Sequence, residues 1–97
     1  MDDIKEQGDH IAELSDDQFY LKVYSPFKIY FDGAVQSVSA VNDTGPFDIL
    51  AKHHNFVTLL KACDLSIIEK DKDKQILKIA RGIMQVSAND VVVFLDV

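Results

Sequence analysis

Phe19-Tyr20-Leu21-Lys22-Val23-Tyr24-Ser25 alternates without a break, with Phe19, Leu21 and Val23 on one face and Tyr20, Lys22 and Tyr24 on the other. A period of two is the signature of a strand with one buried face. Pro26 ends it, because proline has no amide hydrogen to give to a ladder.

Reading onward, the same kind of segment recurs at short intervals. Lys28-Ile29-Tyr30-Phe31 is followed by Asp32-Gly33, a pair that predicts a turn or a close approach. Val35 to Val41 is strand-like, but Val35 and Val38 are out of phase, and a β-bulge between them would restore the alternation. Asn42-Asp43-Thr44-Gly45-Pro46 reads as a loop. Phe47 to Leu50, Phe56 to Leu60, Asp64 to Glu69, Ile76 to Ala80, Ile83 to Ser87 and Val91 to Leu95 complete the strand candidates. The alternating charges of Glu69-Lys70-Asp71-Lys72-Asp73-Lys74 predict a solvated hairpin tip. Asn89-Asp90 predicts a turn before the last strand. Many short strands and no long helical period make an all-β sandwich or barrel. The core is expected to hold Leu21, Val23, Leu65, Ile67, Ile79, Val86, Val91 and Val93, with at most a single helical turn at His53-His54-Asn55.

Before Phe19 the composition is different. Residues 1–18 carry seven acids against one base, a net of −6, which is the whole chain's net charge; residues 19–97 are balanced. The chain divides into an acidic tail, residues 1–18, and a β-sandwich domain, residues 19–97. The tail has few apolar residues, among them Ile4, Ile11 and Leu14, and is expected to stay disordered for want of surface to bury. A neutral body lacks the basic footprint of a nucleic-acid binder and the polybasic patch that holds an anionic membrane. No stretch nears the ~20 consecutive apolar residues of a transmembrane helix. The acidic opening is unlike a secretory signal, so the chain is expected to act where it is made. The single Cys63 forms no internal disulfide and suits a small, partly buried position.

No catalytic constellation emerges. The four glycines are scattered, so no phosphate-binding loop forms. His53 and His54 are adjacent, and neighbours on a strand point to opposite faces; a metal site there would need Asp48 or remote carboxylates. The serines lack a nucleophile elbow. Asp32, Asp43 and Asp48 sit at turn positions, where aspartate is expected for backbone reasons. One feature points to binding. Val91, Val93 and Leu95 suffice for a core face, yet Val92 and Phe94 between them are apolar too. Either something covers the second face, such as a partner or the tail, or the last strand lies centrally.

The order of segments adds a resemblance. Phe19 to Ser25, then Ile29-Tyr30-Phe31-Asp32-Gly33, then Val35-Gln36-Ser37-Val38 resembles the opening of the epsilon subunit of F-type ATP synthases. Gly45-Pro46-Phe47-Asp48-Ile49-Leu50-Ala51-Lys52-His53-His54-Asn55-Phe56-Val57-Thr58 is similar to that family's most distinctive segment, with Gly45, Phe47, Ile49, Leu50, His53 and Thr58 in register. Ala80-Arg81-Gly82-Ile83-Met84-Gln85-Val86 and Asn89 to Asp96 resemble its last two strands. Pro46 stands for the usual acid, Asp48 for glycine, Ala51-Lys52 for Pro-Gly, Asn55 for proline and Arg81 for glycine.

The resemblance implies a roughly ten-stranded antiparallel β-sandwich and a non-catalytic rotor-stalk subunit without cofactor, metal or bound nucleotide. It implies two partners, the gamma subunit and the ring of c subunits, at the cytoplasmic face of a bacterial inner membrane, with no direct membrane insertion. Carried over by position, Ser25 and His53 would face gamma, with Tyr20 and Tyr24 as apolar anchors. Asn42, Asp43, Thr44, Gly45, Pro46 and Phe47 would face the ring. The chain ends at Val97 directly after the sandwich, which implies a member lacking the family's C-terminal helical hairpin. A free-standing adaptor that kept the fold and left the synthase is the alternative.

Overall fold

The computed structural model describes residues 14–96. Nine strands run through them: β1 (Phe19–Tyr24), β2 (Ile29–Val35), β3 (Ser37–Asn42), β4 (Gly45–Leu50), β5 (Phe56–Leu60), β6 (Cys63–Ile68), β7 (Gln75–Ile79), β8 (Gly82–Ser87) and β9 (Asp90–Leu95). They form a five-stranded sheet in the order β2-β1-β9-β8-β5 and a four-stranded sheet in the order β4-β3-β6-β7. The all-β sandwich is thus the observed fold. All pairs are antiparallel except one: β1 and β9 run parallel, so the first and last strands lie side by side in the middle of the larger sheet.

The alternation read from the sequence is what buries the core. Phe19, Leu21 and Val23 of β1 face inward with Val91, Val93 and Leu95 of β9 and Met84 and Val86 of β8. From the other sheet come Val38, Ala40, Ile49, Leu65, Ile67 and Ile79. All eight expected core residues are buried. Each of these side chains larger than Ala40 contributes about 1.5–3 kcal/mol when withdrawn from water, which offsets the conformational entropy of ordering a small chain.

Three local expectations need correction. Between Val35 and Val38 there is no bulge. The chain changes sheet there: Val35 ends β2 in one sheet, Val38 lies in β3 of the other, and both are fully buried in the shared core. Gln36 marks the crossing and donates its amide to Ile68 O at 2.7 Å. The odd spacing is the trace of a strand that bends around the core, so that residues three apart face the same interior from opposite walls. The register irregularity lies instead between Val23 and Tyr24. Asp32-Gly33 is not a turn but the middle of β2, paired with Lys22 and Leu21. His53-His54-Asn55 forms no helical turn. The turn precedes it at Ala51-Lys52, where Lys52 takes a left-handed φ of 61°.

β3 begins beside the edge strand β2 and ends against the opposite edge strand, β5. There Asn42 Nδ2 donates to Thr58 Oγ1 at 3.0 Å and Lys61 N donates to Val41 O at 2.9 Å. The end of β3 thus ties the four-stranded sheet to the β5 edge of the five-stranded one. Glu69–Lys74 is the exposed tip joining β6 and β7, as its charges predict. The expectation of disorder for the tail falls largely on residues 1–13, outside the described residues. Residues 15–18 form a turn held to the body. Gln36 Nε2 donates to Asp17 Oδ2 at 2.8 Å, and Lys70 Nζ stands 3.8 Å from Asp17 Oδ1. The Gln36 hydrogen bond, helped by Lys70, holds the Asp17 carboxyl below its ordinary value.

Candidate interaction face

The outward residues of the five-stranded sheet follow from the same period of two. Register places Tyr24 beside Ile29 and Phe94, Phe94 beside Ile83, and Ile83 beside Leu59. One row thus crosses all five strands, one apolar residue from each: Ile29, Tyr24, Phe94, Ile83, Leu59. The next row reads Asp32, Lys22, Val92, Gln85, Val57. Leu59, Val57, Ile29 and Ile83 are exposed at 67, 65, 55 and 46%. At the β5 end the row sinks into a shallow apolar depression of about 390 Å³ lined by Leu59, Leu60, Arg81, Gly82, Ile83, Phe94 and Asp96. Its polar rim is the Arg81–Asp96 ion pair, Nε to Oδ2 at 2.8 Å. Gly82 is part of its lining, and a Cβ there would stand 2.7 Å from Phe94 O. Soluble proteins rarely leave a contiguous apolar patch of more than a few hundred Å² uncovered unless it binds something. Of the readings of Val92 and Phe94, the central position of β9 is seen, and both side chains are half-buried on its outer face; the tail that could cover that face lies largely outside the described residues.

Ser25 and His53 stand at opposite ends of β1. Ser25 follows its last residue and is 5% exposed, a buried polar side chain. Its Oγ accepts from Phe27 N at 3.2 Å and Lys28 N at 3.3 Å, and its own amide donates to Lys28 O at 2.9 Å. Serine in this role satisfies the backbone of a tight turn. His53, in the β4–β5 connection, packs edge-on against Phe19 with ring centroids 5.2 Å apart. Both its ring nitrogens are shielded and without a hydrogen-bond partner among the described residues. Burial pushes its pKa below the ordinary histidine value, against smaller upward effects of its own backbone and Asp90. Tyr24 lies in the apolar row, its ring edge-on to Phe94 at 5.1 Å. Tyr20 is half-buried on the same side of β1.

The segment from Asn42 to Phe47 is a tight hairpin and not a loop. Asn42 closes β3 and Gly45, Pro46 and Phe47 open β4, leaving only Asp43-Thr44 between them. Asn42 Oδ1 accepts from Thr44 N at 2.9 Å and Thr44 Oγ1 at 2.8 Å, and Gly45 takes a φ of +116° that favours glycine. Asp43, Thr44 and Pro46 are exposed. Phe47 turns inward and meets Phe56, ring centroids 6.5 Å apart. Among the described residues no group of three or more His, Cys, Asp or Glu side chains is placed to hold a metal ion. Cys63 is free and half-buried. No helix among the described residues is long and apolar enough to cross a membrane.

Comparison with known proteins agrees with this architecture. Residues 18–97 match the family described as ATP synthase, Delta/Epsilon chain, beta-sandwich domain. An ATP synthase epsilon chain from Clostridium novyi (strain NT) is 28% identical over 78 residues, 80% of this chain and 60% of that one. One from Chlorobaculum tepidum is 29% identical over 82 residues, 84% of this chain and 93% of that one. Against the first relatives the chain spans about three-fifths of their length. A chain in the Euglena gracilis mitochondrial ATP synthase structure (OSCP/F1/c-ring) superposes with a TM-score of 0.76 at 18% identity, covering 81% of this chain and 51% of that one.

Proposed function

Because the chain belongs to the β-sandwich family of ATP synthase delta and epsilon chains, we propose that it is a non-catalytic subunit of the synthase's rotating stalk. In this reading it joins the gamma subunit to the ring of c subunits, at the cytoplasmic face of a bacterial membrane. The observation that carries the proposal is the apolar row across the five-stranded sheet, left open among the described residues. A sheet face whose every strand presents a hydrophobic residue to solvent is built to be covered. The row is continuous with the Ser25 turn at one end, and β1 runs from there to the His53 loop, about 20 Å away at ~3.3 Å per residue. A standard interface buries about 800 Å² per partner, broad enough to span Tyr20, Tyr24 and both ends of β1. The Asn42–Phe47 hairpin, projecting Asp43, Thr44 and Pro46, is left for the polar loops of the ring.

The two sheets share one packed core, and close packing gives low compressibility. A stiff body of this kind passes torque between two partners without absorbing it. Co-expression with the gamma subunit and the c-ring, followed by purification on a tag carried by gamma, tests the reading. The chain is expected in the complex in stoichiometric amount. Its absence at low salt points to a free-standing adaptor instead.

A further inference from the structure

We infer that the β1–β2 turn is a pre-formed anchor: Phe27 inserts into an apolar, carboxylate-rimmed pocket of the stalk partner, and Ser25 positions it from within. The inference rests on the stalk-subunit reading above and names the contact through which the partner is gripped. Phe27 is the most exposed of the exposed large hydrophobic residues, at 84%. A phenylalanine in water on a floppy loop would be unremarkable. This one is fixed. Pro26 locks one backbone dihedral, the Ser25 amide binds Lys28 O, and the buried Ser25 hydroxyl accepts both following amides. Fixing the backbone that carries an aromatic side chain removes the loop's share of the ordering entropy from the cost of binding.

The surroundings specify the pocket. The turn leads into the apolar row through Ile29, the register partner of Tyr24. Lys28 belongs to the turn, its Nζ 4.7 Å from the Tyr30 centroid, while Lys22, with Nζ 5.2 Å from the Tyr24 centroid, stands in β1 opposite Asp32. Neither takes part in an ion pair among the described residues. An apolar projection followed directly by a lysine that makes no ion pair fits an apolar socket with an acidic edge, so that burial supplies affinity and the charge supplies orientation. Ser25 is 5% exposed and acts on the partner only through the turn.

The test is a calorimetric titration of the full chain into the gamma subunit of the same organism. Phe27→Ala is expected to weaken binding about ten-fold or more with the melting temperature unchanged, since the side chain touches little of its own protein. Lys28→Glu should weaken binding and Lys28→Arg should not. Ser25→Ala should weaken binding as well, but should have no further effect on top of Phe27→Ala, a non-additivity that a merely structural serine would not give. Ser25→Thr, which keeps the hydroxyl, should restore affinity. If the wild-type chain fails to bind gamma, the stalk reading falls and this inference with it. If the wild type binds and Phe27→Ala binds equally well, the stalk reading stands and the anchor is refuted.

Discussion

Tyr24 and Phe94 meet edge to face on the outer surface of the five-stranded sheet, ring centroids 5.1 Å apart and planes inclined at 68°. They are direct register partners on β1 and β9, the one parallel pair in the described sheets. The contact therefore ties the first strand of the sandwich to the last, and it does so on the outer face of the sheet. Edge-to-face pairs contribute about 0.5–1.5 kcal/mol beyond the area they bury. A double-mutant cycle with Tyr24→Ala and Phe94→Ala, read by urea denaturation, is expected to show a coupling in that range. Additive losses would mean that the rings stand together without stabilising the fold.

Leu21 is buried between the sheets, 1% exposed. Replacing it by alanine removes apolar contacts and leaves a cavity, at a cost of about 2–5 kcal/mol. Marginal stability is the rule for single domains, so the variant should be close to unfolding at body temperature. A denaturation midpoint near the wild type's would show that the core repacks around the loss.

Two backbone positions should respond in opposite directions. Gly82→Ala forces a methyl group to within 2.7 Å of Phe94 O; backbone cannot retreat cheaply, and overpacking of this kind costs about 1–3 kcal/mol. Lys52→Gly relieves a left-handed φ of 61°. A non-glycine residue there carries roughly 1 kcal/mol of strain, less the entropy that glycine adds to the unfolded chain. Gly82→Ala should lower the melting temperature and Lys52→Gly should raise it slightly. The reverse order would contradict the described turn and the described close approach.

How far the fold was legible in the sequence depends on which residue is asked. Phe19 to Val23 declares its strand and its buried face, because alternation is a local property. Val35 and Val38 show the limit. Their odd spacing fits either a bulge or a change of sheet, and only the far side of the core, where Gln36 meets Ile68, decides between them. Asp32-Gly33 resembles a turn by composition, but pairing with Lys22 and Leu21 holds it in a strand. The outer row was half visible: Val92 and Phe94 signalled it along one strand, while Ile83, Leu59 and Ile29 join it only through register. Phe27 carried a signal too, an aromatic residue beside a proline in a turn, which gains meaning once Ser25 is seen buried beneath it. The resemblance placed Ser25 toward a partner, and only the structure shows that this side chain is inside and not on the surface.

The pH dependence of stability should carry the mark of His53. Its folded pKa is lowered, chiefly by burial, so the unfolded chain takes up a proton first as pH falls. Stability from this residue is unaffected above the ordinary histidine range, about 6.5. It is lost as pH drops through that value and goes on falling until the folded group is protonated. The urea midpoint is expected to decline between pH 7.5 and 5 more steeply for the wild type than for His53→Phe. Equal slopes would mean that the ring is open to water.

The central claim, that the apolar row of the five-stranded sheet is where the stalk partner sits, is tested most directly by titrating the same organism's gamma subunit with the wild-type chain and with Ile83→Asp. Ile83 is outward and 46% exposed, so the substitution should leave the melting temperature nearly unchanged while putting a charge at the middle of the contact. The wild type is expected to bind at micromolar or tighter affinity, and the variant about ten-fold or more weakly. Binding by Ile83→Asp as tight as the wild type's would contradict the claim.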